Sequence, residues 1–197
     1  RTFNIQKKKI DKSKISQFKL ASFMFNQFLN NNIKTSDLFD LELTAKYFAL
    51  CDLLGAGAAN TWYDMRFYFN PITSRLIPIG YDAQYPIRNK NRFLSLDLNP
   101  LDLFNDQVFL KYYLKELIRI SDANYLDKFI NKISSDITRE IGVINKTFPY
   151  VSFKKEEIYK NQIYIRSRLD PLNPLFISFA EEIKDINKLN LKLSNKS

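Results

Sequence analysis

The stretch Trp62-Tyr63-Asp64-Met65-Arg66-Phe67-Tyr68-Phe69-Asn70-Pro71-Ile72-Thr73-Ser74-Arg75-Leu76-Ile77-Pro78-Ile79-Gly80-Tyr81-Asp82 breaks the pattern of everything around it. Phe67 and Phe69 on one side, and Leu76, Ile77 and Ile79 on the other, form short extended runs around the turn-rich connector Asn70-Pro71-Ile72-Thr73-Ser74. Asn, Pro and Ser each favour a reversal, so the stretch from Asp64 to Asp82 predicts a β-hairpin. With the turn centred on Thr73, each step outward advances both strands by one residue, and Asp64 comes to face Asp82. Opposed Cβ atoms in an antiparallel pair lie about 5 Å apart. At an effective dielectric near 20, two full charges at that distance repel by roughly 3 kcal/mol. Water or a cation must screen such a pair, and two carboxylates at the mouth of a rigid hairpin suit Mg²⁺ or Ca²⁺, the remaining ligands coming from water or phosphate. A slip or bulge of one residue would instead leave both as solvent-edge aspartates that never meet.

Outward from the hairpin the apolar period lengthens. Ile15, Phe18, Leu20, Ala21, Phe23, Phe25, Phe28 and Leu29 recur largely at three- and four-residue spacing behind Ser16, predicting a first helix that Asn30-Asn31-Asn32 stops. Leu43, Tyr47, Leu50 and Leu54, with Ala45 and Ala49 beside them, predict a buried helix from about Phe39 to Leu54, ended by Gly55-Ala56-Gly57. Beyond the hairpin, the polar stretch from Gln84 to Pro100 has no clear period and is expected to be an ordered, locally basic loop carrying Arg88, Lys90 and Arg92. Val108, Tyr112, Leu114, Leu117 and Ile118 mark a helix over about Asp106 to Ile120. Tyr125, Phe129, Ile133, Ile137, Ile141 and Ile144 form one apolar stripe on the next, with Gly142 a weak point inside it. Ser152 and Glu156 are expected to open a last helix through Ile158, Ile163, Ile165 and Leu169, stopped by Pro171 and Pro174. The fold class is therefore mainly α with a small β-hairpin (α+β), one domain over residues 1–197 with a polar tail over 184–197.

Composition limits the chemistry. Hydrophobic residues are 45% and aromatics 15% of the 197, enough apolar area for a packed interior. No run of 18 uncharged apolar residues occurs, so no transmembrane segment is expected. The chain opens on Arg1-Thr2-Phe3-Asn4 without Met or an apolar leader, which reads as a piece of a longer or processed protein. There is no histidine, which excludes Ser-His-Asp triads, Cys-His dyads and the common zinc sites. The single cysteine, Cys51, sits among Ala49, Leu50, Leu53 and Leu54 and reads as a small buried hydrophobe. Thirty Lys and Arg against 21 Asp and Glu give +9, a balance that favours anionic partners. The lysines are scattered, however, with Lys7-Lys8-Lys9 the only run, and no recognised nucleic-acid motif accompanies them.

The strings Tyr47-Phe48-Ala49-Leu50-Cys51-Asp52-Leu53-Leu54-Gly55-Ala56, Trp62 to Thr73, and Leu76-Ile77-Pro78-Ile79-Gly80-Tyr81-Asp82 resemble the central block of CotH-type proteins, the spore-coat protein H-like family of atypical kinases. The helices after the hairpin, opened by Leu103-Phe104 and Phe109, carry a weaker likeness. The resemblance implies an atypical protein-kinase C-lobe-like helical domain whose N-lobe is absent. It implies ATP and Mg²⁺ (or Mn²⁺ or Ca²⁺) as ligands, a protein substrate or a surface or coat partner, and an extracytoplasmic or cell-surface setting.

In kinases an Asn closing the catalytic loop and an Asp after the next hairpin hold the metal. By resemblance those positions are Asp64, where Asp replaces Asn, and Asp82. Arg66 could pair with an acidic neighbour or reach a phosphate, which makes it the cofactor-binding candidate. Five residues before Asp64, where the catalytic aspartate belongs, stands Ala59, whose methyl group can neither accept a proton nor orient a hydroxyl. No Gly-rich loop or phosphate-binding Lys precedes the first helix. Two readings follow: a kinase domain that needs a further portion for activity, or a non-catalytic pseudokinase-type scaffold or surface assembly module. Trp62 and Tyr63 read as core or lid aromatics; Glu156, Glu157, Glu181 and Glu182 read as solvated helix faces.

Overall fold

The structure is a computed structural model that describes residues 12–61, 63–81, 94–170, 175–179 and 191–195. Trp62, Asp82, Arg88, Lys90, Arg92, Pro171, Pro174, Glu181 and Glu182 lie outside them, as do Lys7 to Lys9. The described chain is mainly helical with a small two-stranded antiparallel sheet at its centre.

Helix α1 spans Lys12–Leu29 and stops where Asn31 takes a left-handed conformation (φ 60°), as the Asn run predicts. A single turn, α2 (Thr35–Leu38), follows, and the amide of Lys34 just ahead of it donates to the Asp37 carboxylate at 2.9 Å. Helix α3 (Leu41–Leu54) is separate because Asp40 caps it, its carboxylate accepting from Leu43 N at 3.0 Å. The expected helix from Phe39 thus divides into a cap and a later start. Gly55, at φ 67°, closes α3 in the left-handed form, and Ala56 N reaches back to Cys51 O at 2.8 Å. One 3₁₀ turn, Gly57–Asn60, leads toward the hairpin.

Strands β1 (Arg66–Asn70) and β2 (Arg75–Ile79) pair antiparallel. After the hairpin, a short helix α4 (Ser95–Leu98) and a 3₁₀ segment, Pro100–Asn105, occupy the end of what the sequence reads as loop. Helices α5 (Gln107–Ser121), α6 (Tyr125–Ile144) and α7 (Lys155–Leu169) complete the lobe. Ser152 stays outside α7, which begins at Lys155. A second antiparallel pair, β3 (Leu175–Phe179) with β4 (Leu191–Asn195), corrects the expectation of a single hairpin, and β4 lies in the stretch expected to be a polar tail.

Helices α3, α5 and α7 pack against one another around a core of Phe48, Leu53, Phe109, Tyr113, Leu117, Ile120, Ile158 and Ile165. Phe48, Phe104, Phe109 and Tyr113 meet edge-on or tilted, with centroids 4.8–6.2 Å apart. The buried stripe of α3 is Ala45, Phe48, Ala49 and Leu53; Leu43 and Leu50 of the expected stripe are exposed. Apolar residues lie all round α3, so periodicity alone does not choose its inner face. Two alanines on the inner side let α5 approach closely.

The hairpin docks through Leu76 and Met65, both buried, and through Phe67, which meets Phe39 edge-on at 5.3 Å. Asp40 N donates to Leu76 O at 2.9 Å and Arg75 Nη1 to Ser36 O at 2.6 Å. No described helix is long and apolar enough to cross a membrane.

Candidate functional site

The hairpin closes on a four-residue turn, Pro71 to Ser74, fixed at one end by Asn70 Oδ1 accepting from Ile72 N at 3.0 Å and at the other by Ser74 at φ 54°. Its ladder pairs Asn70 with Arg75, Phe69 with Leu76 and Arg66 with Ile79. An even-membered turn centres the reversal between Ile72 and Thr73, one half-step from the expected centre on Thr73. The register is therefore offset by one residue from the expected one, which corrects the turn centre; the ladder itself ends at Arg66 and Ile79, short of Asp64. Asp82 itself lies outside the described residues.

Asp64 is not in the strand. It belongs to a turn in which Asp64 N and Met65 N both donate to Thr61 O at 3.0 Å, and its Oδ2 accepts from Thr61 Oγ1 at 3.1 Å. The carboxylate is half-buried, and its other oxygen accepts no hydrogen bond from the described residues. One carboxylate oxygen of this kind fits a hard divalent cation as a single ligand. Among the described residues, no three Asp, Glu or Cys side chains gather into a metal cluster. Arg66, one residue beyond Met65, turns back: its Nη1 donates to Tyr63 O at 2.7 Å and Met65 O at 3.0 Å, and its guanidinium lies 4.7 Å from the Tyr81 ring centroid. It braces the mouth of the hairpin by tying the incoming turn to the outgoing strand.

Ala59 sits in the 3₁₀ turn between α3 and the hairpin, almost wholly buried against Cys51 and Ala56. Its carbonyl accepts from Tyr47 Oη at 2.8 Å. Burial, then the neighbouring Cys51, raises the Tyr47 phenol above its ordinary range, so the hydroxyl stays a donor. Burial likewise pushes the Cys51 thiol up to about 12, which makes it an inert packing group, as its apolar neighbours in the sequence suggest.

Sequence reading passed over the strongest polar cluster. Asp52, one helical position from Cys51, is half-buried where α3, α4 and α5 meet. Its Oδ1 accepts from Ser95 N at 2.7 Å and Ser95 Oγ at 2.6 Å, and its Oδ2 from the Tyr113 hydroxyl. Ser95 Oγ also accepts from Asn60 Nδ2 at 2.6 Å, which brings the turn holding Ala59 into the same network. Asn60 Oδ1 is buried with no hydrogen-bond partner among the described residues.

Burial raises the Asp52 carboxyl to about 7, although the bonds from Ser95 and Tyr113 pull the other way; Asp97 adds to the rise. Asp97 on α4 is held by Leu94 N at 2.9 Å and by Arg168 of α7 at 2.8 Å. This arrangement is a strut: it pins α4, α5 and the Ala59 turn to α3. An Asp set among Ala49, Leu50, Cys51, Leu53 and Leu54 is the sequence signal that marks it. The partners it finds, 43 and 61 positions away, are invisible there.

No family model matches the chain, and neither a curated protein nor a solved structure shows significant similarity to it.

Proposed function

We propose that this chain is a CotH-type, kinase-like helical domain that works as a non-catalytic, cation-responsive scaffold. The observation that carries the non-catalytic part is Ala59. A catalytic base must reach a substrate hydroxyl, and position 59 offers only a methyl packed against Cys51 and Ala56, on a carbonyl already engaged by Tyr47. The kinase-like part rests on the sequence resemblance around the hairpin and is supported by a helical lobe with the hairpin following its central helix. In this reading Asp64 and Asp82 hold a divalent cation such as Mg²⁺, which would neutralise the phosphates of a bound nucleotide. Arg66 shapes the mouth where that nucleotide would lie. The partner is a protein at a surface or coat, bound rather than phosphorylated.

Isothermal titration with MgATP and MnATP tests both parts. Weak, cation-dependent binding is expected, reduced more than about tenfold by Asp82→Ala, with no phosphate transfer to the chain or to a generic protein substrate. Ala59→Asp is expected to leave transfer at zero, because the new carboxylate would enter a packed site. Absence of any cation-dependent nucleotide binding would sink the kinase-like reading; phosphate transfer abolished by Asp64→Ala would sink the non-catalytic one.

A further inference from the structure

Helix α6 enters the core only at its start. Leu126 is buried and Tyr125 and Ile130 pack beside it, whereas from Asn131 to Ile144 no side chain is buried. The apolar stripe seen in the sequence nevertheless continues through Ile133, Ile137, Ile141 and Ile144 to the corner joining α6 to α7. That corner presents Val143, Ile144, Phe148, Tyr150 and Val151 to solvent, with Phe148 63% and Tyr150 96% exposed. Isolated exposed hydrophobes are ordinary, but five within nine residues of one corner form a patch.

The corner is also one-signed. From Ile141 to Lys155 there is no Asp or Glu, while Lys146, Lys154 and Lys155 are all exposed. The nearest acids on α6, Asp136 and Glu140, are both engaged by Arg139, at 3.0 and 2.8 Å. At the far side, Glu157 is held by Lys160 at 2.7 Å, and Glu156 is the remaining nearby acid. Aromatic and aliphatic side chains bordered by lysines, at the end of an amphipathic helix, match the chemistry of an anionic bilayer surface: rings and aliphatics enter the headgroup boundary while ammonium groups stay among the phosphates. The chain's overall +9 acts in the same direction over longer range. A second copy of the chain would bring the same lysines against these, which disfavours self-association through this corner.

We infer that the α6–α7 corner is a peripheral docking surface for anionic lipid bilayers, inserting Phe148, Tyr150 and Val151 at the interface with Lys146, Lys154 and Lys155 on the headgroups. The inference is independent of the nucleotide reading, since the corner shares no residue with the hairpin.

Co-sedimentation with phosphatidylcholine vesicles, with and without about 30% phosphatidylserine, tests it. Binding is expected to the anionic vesicles only, and to fall as salt rises. Each lysine contributes roughly fivefold to partitioning, so Lys146→Glu with Lys154→Glu should lower it by more than about tenfold. Phe148→Ser with Tyr150→Ser should do the same at constant charge. Circular dichroism of these surface variants should match the parent chain. Equal binding to neutral vesicles, or unchanged binding by either double variant, would overturn the proposal. Concentration-dependent dimerisation that the Phe148 and Tyr150 changes abolish, without vesicle binding, would overturn it in favour of contact between two copies.

Discussion

Asp52 stands in the last turn of α3 among apolar neighbours, where an ionised carboxylate is costly and survives only through its partners. Asp52→Ala would remove the acceptor for the Ser95 amide, the Ser95 hydroxyl and the Tyr113 hydroxyl together, leaving buried donors unsatisfied. A loss of roughly 3–5 kcal/mol is expected, measured by urea unfolding. The pH dependence has a definite sign. The folded-state carboxyl titrates at about 7 and an unfolded aspartate near 3.9, so between those values the folded chain holds a proton that the unfolded chain has released. Stability contributed by Asp52 is thus complete below about pH 4 and is lost as pH rises through 7. Asp52→Asn should flatten that slope in unfolding midpoints measured from pH 4 to 8; an unchanged slope would show that other groups set it. Asp52 is legible in the sequence as an anomaly, but its role is not, because Ser95 and Tyr113 come from other helices. Ala59 is the converse: its methyl group is legible at once, and burial adds only that the position is sealed.

At the scale of elements, several caps and stops are written locally and agree with the structure, although Ser16 lies inside α1 and Ser152 lies ahead of α7 instead of capping them. Asp40, Gly55, the Asn run and Asp106 delimit α1, α3 and α5 within a few residues of where side-chain chemistry puts them. Gly55 illustrates the physics: at φ 67° a Cβ would be strained, and it would also come within 3.1 Å of Asn161 Nδ2, which bonds Leu53 O at 3.0 Å. Gly55→Ala should therefore cost about 1–2 kcal/mol, read as a lowered Tm, whereas the same change at Gly142, with open space around it, should be neutral or slightly stabilising. What the elements could not report was their faces and register. The inner stripe of α3 includes Phe48 rather than Leu50 because α5 and α7 choose it. The hairpin slipped by one residue because its turn holds four residues, and such a slip moves every side chain to the other face.

For the molecule as a whole, a core shared by α3, α5 and α7 with the hairpin docked through Phe39, Phe67 and Leu76 predicts one cooperative unit. Phe48 touches Tyr47, Phe104 and Phe109 at its centre. Phe48→Ala should cost roughly 3–5 kcal/mol and shift the urea midpoint without changing the m-value. A changed m-value would mean that the lobe unfolds in parts. The sequence by itself determined that this chain is mainly helical with a central hairpin, that its thiol is inert, and that position 59 bears no catalytic group. Those properties depend on residue type and on neighbours within a few positions. Only the tertiary structure decided which face of α3 is buried, that Asp64 sits in a turn ahead of the first strand, that Asp52 is the polar strut of the lobe, and that the end of the α6 stripe is left uncovered. Each of these depends on side chains brought together from distant parts of the chain, or on the count of residues in one turn, and periodicity carries neither.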